Sequence, residues 1–355
     1  MKNNKTRFLA LVLSALMLGA TACSKNEESK KDTEKPDSSS AVTTTTADDN
    51  KDSSEPEDSS ETKQETPSDI TPALWKLETE SGKTVYFMGS MHALPESAYP
   101  FPEAIMNAYE SSDAVAFECD TVAYMSDLDA QMEIAEMSTY SDGTTIKDHI
   151  DAEIYSTLVD KLKGWNLYMS AYDYFKPAMW QSVIDEYLLS KTELNSAKGF
   201  DTYFLNKCRE DNKEIIEVES VEFQLNMMFG FSDKINNLLM ESYATTSEED
   251  YVSQLNDLYN AWSEGDIDKV AESDEIDESE FTEEEIAAYN DYNKQMLDDR
   301  NVTMANKLIE LSKGEKNVFF IVGAAHYPGD KGILKLLDDA GVKYERIDYG
   351  FLKTK

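Results

Sequence analysis

The sequence predicts an α/β domain, α+β in layout, with a central mixed β-sheet flanked by helices and a largely helical insertion in its middle. Three observations predict it. Apolar runs of strand length lie at both ends of the region 70–355, helix-period patterns fill the space between them, and βαβ-like order appears at each end. Leu74 to Glu80 and Thr84 to Gly89 are short apolar runs joined by Ser81-Gly82-Lys83, which reads as a hairpin. Pro102 to Ser111 fits a helix, and AVAF at Ala114 to Phe117 reads as a buried strand, completing the first βαβ-like unit.

Apolar residues at three- and four-residue spacing predict helices over 121–138, 151–164, 175–191 and 200–212. In and between them Tyr168, Tyr172, Tyr174, Phe175 and Trp180 read as core. Glu214 to Val218 is a short strand, followed by a helix from Val221 and by helices over 232–245, 248–263, 281–297 and 298–312. The chain then returns to β-α-β order, with a strand at Asn317 to Val322, a helix at Lys331 to Ala340 and a strand at Lys343 to Ile347. The sheet is thus closed by strands far apart in sequence.

Charge narrows the partners. The chain has 355 residues, with 33 Lys and Arg against 70 Asp and Glu, a formal net charge of −37. Phosphate contacts need Lys and Arg, so no nucleic-acid partner is expected, and anionic lipid surfaces are poor direct partners. The acidic stretch from Ser247 to Ile286 lacks the register of an EF-hand and reads as solvated surface. Three cysteines cannot make a disulfide-dense scaffold. Cys119 and Cys208 read as buried thiols, with a disulfide between them left open.

The N-terminal region reads as an address and a tether. Lys2, Lys5 and Arg7 precede an uncharged apolar run from Phe8 to Leu18, and Ala20-Thr21-Ala22 leads into Cys23. That run is short for a membrane span and fits a signal peptide over 1–22. The small residues before Cys23 resemble the bacterial lipobox, which implies a diacylglycerol-bearing Cys23 that anchors the protein to the extracytoplasmic face of the cell membrane. Residues 24–69 hold 14 acidic and 6 basic side chains and a single Val, so 23–69 is expected to be a disordered, lipid-anchored tether. With +3 on the signal peptide and −8 on the tether, −32 remains on the domain 70–355. That field favours neutral or cationic peptides over anionic substrates.

The chemistry is expected at two strand ends. Gly89-Ser90-Met91-His92 follows TVYFM, and Gly323-Ala324-Ala325-His326 follows NVFFIV. Ligands bind at the carboxyl edge of open α/β sheets, and Gly89 and Gly323 permit the tight backbone that turns a side chain over that edge. Two of only three histidines share this setting; the third, His149, reads as surface or helix start. AVAF, a strand of the same kind, ends in Glu118-Cys119-Asp120. Two imidazoles and a carboxylate make a reasonable ligand set for a divalent transition metal, with Mn, Co and Zn all compatible. No H-E-x-x-H, P-loop or G-x-S-x-G pattern occurs.

Seven segments carry a family resemblance: GSMH (89–92), AFECD (116–120), GFDTYF (199–204), EVESVEFQL (217–225), AWSEGD (261–266), DDRN (298–301) and VGAAHYPGDKGILKLL (322–337). Through them the chain from Leu74 to Ile347 resembles the TraB/GumN family, which includes the Tiki-type metal-dependent proteases. The resemblance implies a metal site of His92, His326 and Glu118. It implies catalytic or supporting roles for Glu118, Glu219, Arg300 and Asn301, and a peptide or protein substrate. A binding protein that captures peptide, metal or haem in the same cleft without turnover is the alternative.

Overall fold

The structure is a computed structural model, and it describes residues 66–273 and 276–350. The signal peptide, Cys23 and the tether as far as Glu65 lie outside the described residues. Ser68, placed in the tether by composition, hydrogen-bonds through its N–H to Pro100 O and through its hydroxyl to Ala98 O.

Six strands form one sheet: β1 (Leu74–Glu78), β2 (Thr84–Ser90), β3 (Ala114–Phe117), β4 (Glu214–Glu217), β5 (Val318–Gly323) and β6 (Glu345–Arg346). Their order is β4-β3-β5-β2-β1-β6. β4, β3, β5 and β2 run parallel, while β1 pairs antiparallel with β2 and with β6. The sheet is therefore mixed, as the sequence predicts. Ser90 pairs with Gly323, and Phe117 pairs with both Ile321 and Glu217, so the carboxyl ends of four strands meet at one edge.

The apolar strands are buried on both faces, as parallel sheets require. On one face Val115, Phe117, Phe319 and Ile321 join a core with Phe101, Phe200 and Phe204. On the other, Ala116, Phe320 and Val322 pack with Met304, Leu308, Ile333 and Leu337. A third cluster built on Leu225, Met228, Leu239 and Met296 lies in the helical part.

The helices are α1 (Glu103–Glu110), α2 (Thr121–Ser126), α3 (Leu128–Met137), α4 (Ala152–Gly164), α5 (Pro177–Leu189), α6 (Phe200–Glu210) and α7 (Val221–Phe229). They continue with α8 (Asp233–Thr245), α9 (Glu248–Glu264), α10 (Ile267–Glu272), α11 (Glu283–Asn293), α12 (Asp299–Leu311) and α13 (Ile333–Asp339). Side-chain caps set many of the starts. Ser220, Ser232 and Ser247 accept backbone N–H bonds at α7, α8 and α9, and Thr282 with Glu285 forms a capping box on α11.

The structure departs from expectation in four places. The helix expected over 121–138 breaks at Asp127, whose carboxylate accepts from Asp129 and Ala130 N–H and starts α3. The helices expected over 281–297 and 298–312 are joined by a π-helical turn, Lys294–Asp298. The last strand shrinks to Glu345–Arg346. Tyr174 is 62% exposed rather than core.

Candidate functional site

A cleft opens at the carboxyl edge of the parallel strands. Its polar lining includes His92, Glu118, Asp201, Arg300 and His326. The local sequence explains why these groups converge. Gly89, next to last in β2, packs against Ala324, whose Cα would lie 2.6 Å from a Cβ added to Gly89. Gly323 faces Glu118, and its N–H donates to Glu118 Oε1 at 2.6 Å. Gly199 packs so closely on the His92 backbone that an added Cβ would sit 2.3 Å from His92 O. The Phe200 N–H donates to Met91 O at 2.9 Å, docking the start of α6 against the first histidine loop. The Trp262 indole donates to Gly89 O at 2.8 Å, and the Tyr327 hydroxyl donates to Met88 O at 2.9 Å.

Each imidazole is held from behind. His92 Nδ1 lies 2.7 Å from Asp201 Oδ2, and a carboxylate can only accept, so Nδ1 carries the hydrogen. His326 Nδ1 lies 2.6 Å from Asn301 Oδ1, while Asn301 Nδ2 donates to Lys331 O at 3.1 Å. That second bond fixes the amide, so Nδ1 of His326 is again the donor. In both rings Nε2 is the atom left for chemistry. His326 Nε2 faces Glu118 Oε1 at 3.6 Å.

The charges separate the two imidazoles. Burial pulls His92 down, but the Asp201 carboxylate outweighs it and lifts the ring to about 9. Burial and then the Arg300 guanidinium push His326 down to about 3. Burial alone would raise Glu118, yet Arg300, His326 and His92 together hold it well below the usual carboxylate range. Glu118 is thus ionised and His326 neutral.

Arg300 is the hub of a buried network. Its Nη2 donates to Glu118 Oε2 at 2.6 Å, its Nε contacts both oxygens of Glu219 at 3.0 Å, and its Nη1 donates to Met296 O at 2.9 Å. Gln224 Nε2 donates at 3.0 Å to Oε2 of both Glu118 and Glu219. Glu219 and Asn301 stand behind the cleft lining, holding Arg300 and His326.

Sequence reasoning assigned no role to Asp201, Gln224 or Gly199, although all three fall in segments quoted for the resemblance. Asp201 opens α6 two residues after a glycine, and Gln224 lies one helical turn beyond Ser220, the N-cap of α7. Cys119 and Cys208 are free and buried, so no disulfide joins them. Burial raises both thiols, Cys208 to about 11. His149, at the end of a short 3-10 turn before α4, stacks on Tyr140 with ring centroids 4.2 Å apart, away from the cleft.

A model of the TraB/PrgY/gumN family matches residues 73–346, nearly all of the described domain. The chain belongs to the TraB/PrgY/gumN family. No curated protein and no solved structure matches it. In this TraB/PrgY/gumN member the family match spans both G-x-x-H loops and every residue of the buried network.

Among the described residues, no three His, Cys, Asp or Glu side chains are gathered closely enough to hold a metal ion as they stand. The donor chemistry nevertheless fits one. A lone pair on His326 Nε2 faces an ionised Glu118 oxygen at 3.6 Å, an opposition of two acceptors that a cation relieves. Both rings also carry the hydrogen-bonded support behind Nδ1 that metal-binding histidines have.

Proposed function

We propose that this family member is a metal-dependent hydrolase of peptide bonds, lipid-anchored through Cys23 on the extracytoplasmic face of the cell membrane. The observation that carries the hydrolase reading is the pair of imidazoles whose Nδ1–H groups are engaged by Asp201 and Asn301, leaving Nε2 of each ring for chemistry in a cleft shared with an ionised Glu118, 3.6 Å from His326 Nε2. His92, His326 and Glu118 would hold the ion, with Mn, Co and Zn all compatible. A bound divalent ion supplies a water acidic enough to serve as a nucleophile near neutral pH.

The rest is the work of the chain's own groups. Asn301 holds the His326 ring in one tautomer, and Asp201 does the same for His92. The Asp201 carboxylate also makes the His92 ring the more basic of the two. Arg300 keeps Glu118 ionised and lines the cleft. Its Nε–H, one Nη1–H and one Nη2–H are given to protein acceptors, so it acts on a polarised carbonyl chiefly through its charge.

The test is metal content and peptide cleavage for the wild type, His92→Ala and His326→Ala. Loss of both properties in both variants supports the hydrolase. Tight metal or haem binding with no turnover across a peptide library supports the capture protein instead. Metal binding unchanged by either substitution removes the site. For the anchor, Cys23→Ala is expected to release the protein from the membrane fraction, and retention there would count against lipidation.

A further inference from the structure

Beside its polar groups the cleft has a second, apolar part. Met227 and Met228 of α7, Met296 and Leu297 of the π-helical turn, Leu258 of α9 and Val270 of α10 contribute to its wall. Met227 and Leu297 are half-buried, whereas Met228 and Met296 are buried. The whole cleft, polar and apolar parts together, has a volume of about 100 Å³, so the apolar part is smaller still. Protein interiors pack with few voids larger than one water, so apolar groups left around such a space next to charged residues are not ordinary core.

The π-helical turn is what brings this wall to the chemistry. Widened turns of this kind are rare in helices and concentrate at functional sites. Here Asn293, Met296, Leu297 and Arg300 all reach the cleft from one continuous helical stretch. The Arg300 guanidinium occupies the Met296 carbonyl at 2.9 Å, so the turn that presents the apolar wall is tied to the residue that fixes Glu118.

We propose that this recess is a specificity pocket for one medium-sized aliphatic side chain, Leu, Ile, Val or Met, of the bound peptide, next to the bond that is cut. The inference rests on the hydrolase reading of the site. Size and chemistry select the side chain. A cavity of roughly 150 Å³ is what holds a benzene ring, so the smaller space here suits an aliphatic chain better than Phe or Trp. Charged side chains are disfavoured because the carboxylates and guanidinium of the cleft already pair with His92 and with one another. The methionines are pliant enough to close on branched or straight chains alike.

A blocked pentapeptide series, Ala-Ala-Xaa-Ala-Ala with Xaa as Leu, Ala, Phe, Lys or Asp, tests this. Binding is read by calorimetry on the manganese-loaded protein, and cleavage by mass spectrometry of the products. Leu is expected to bind roughly 10–200-fold more tightly than Ala, with Phe below Leu, and Lys and Asp weakest. Met227→Ala enlarges the recess and should raise Phe towards Leu. Leu297→Trp fills it and should flatten the series. Thermal unfolding of both variants reports that they fold, which half-buried positions favour. Ordered binding without cleavage keeps the pocket and removes the hydrolase. Cleavage with no aliphatic preference, or an order that neither variant alters, overturns the pocket and leaves the hydrolase standing. No binding of any peptide sinks both.

Discussion

The Asp201 carboxylate lies 2.7 Å from Nδ1 of His92, so one imidazole of the site is backed by a full negative charge. The other, His326, is backed by the neutral amide of Asn301. A group that holds the far nitrogen of a metal-binding histidine fixes the ring and raises its basicity. Removing it costs metal affinity by roughly 10–100-fold. Asp201→Ala is therefore expected to weaken manganese binding by that order in a calorimetric titration while the fold survives. Unchanged affinity in a folded variant would take His92 out of the ligand set.

Arg300 joins two carboxylates that are nearly as buried as itself, with side-chain exposures of 6% for Arg300, 12% for Glu118 and 4% for Glu219. Taking away one partner of such a network strands the rest. Arg300→Met should destabilise the protein by about 3–5 kcal/mol in denaturant unfolding. Arg300→Lys should recover little, because a single ammonium cannot serve Glu118, Glu219 and the Met296 carbonyl together. Near-complete rescue by Lys would show that charge alone, without the fork of donors, holds the network.

Gly199 tests whether the first histidine loop is positioned by backbone contact. An added Cβ would approach His92 O to 2.3 Å and His92 C to 2.7 Å, both backbone atoms that cannot step aside alone. Gly199→Ala is expected to cost about 1–3 kcal/mol of stability and to lower metal affinity with it. Gly164, at the end of α4, has nothing within 4 Å of such a Cβ. Gly164→Ala should stabilise the helix by roughly 0.5–1 kcal/mol and leave metal binding untouched, as thermal melts and titration can show.

Two partly buried titratable groups away from the cleft, Asp185 and Lys161, shape stability against pH. Asp185 accepts from the Tyr243 hydroxyl at 2.8 Å, and its other oxygen is buried without a partner among the described residues. Burial lifts it to about 8. Folded protein thus holds a proton that unfolded chain releases near pH 4, and stability falls as pH rises towards 8. Lys161 donates to the carbonyls of Tyr243 and Thr246, and burial lowers it to about 8. Unfolded chain keeps that proton to higher pH, so this contribution makes stability rise above pH 8. The two together place a trough near pH 8. Asp185→Asn should remove the acid limb and Lys161→Met the alkaline one in unfolding measured across pH. A profile that neither variant changes would contradict both.

Much of this arrangement was legible because it is written in local signals. The strands ending in Gly89, Phe117 and Gly323 read as apolar runs, and helix spacing revealed the elements between them. The convergence of His92 and His326 with a carboxylate from Glu118-Cys119-Asp120 followed from strand ends, and the choice of Glu118 from the resemblance. What stayed hidden depends on contacts between distant segments. Nothing local in Gly199-Phe200-Asp201 says that its glycine touches His92 or that its carboxylate holds that ring. Likewise helical spacing over 281–297 and 298–312 conceals the π-helical turn that joins them, because one widened turn hardly disturbs the pattern. The split at Asp127 had a visible cap residue, outweighed by the apolar spacing on either side.

The sheet order has a bearing on biogenesis. β5 lies between β2 and β3, yet it follows β2 by more than two hundred residues. While the chain is being made, both of those strands must wait with an unpaired parallel edge, the kind of edge that invites wrong partners. The strand that separates and satisfies them also brings the Gly323 amide and His326. Before β5 arrives the cleft lacks one imidazole and the amide that grips Glu118, so the site stays incomplete until that late strand has been made and has docked.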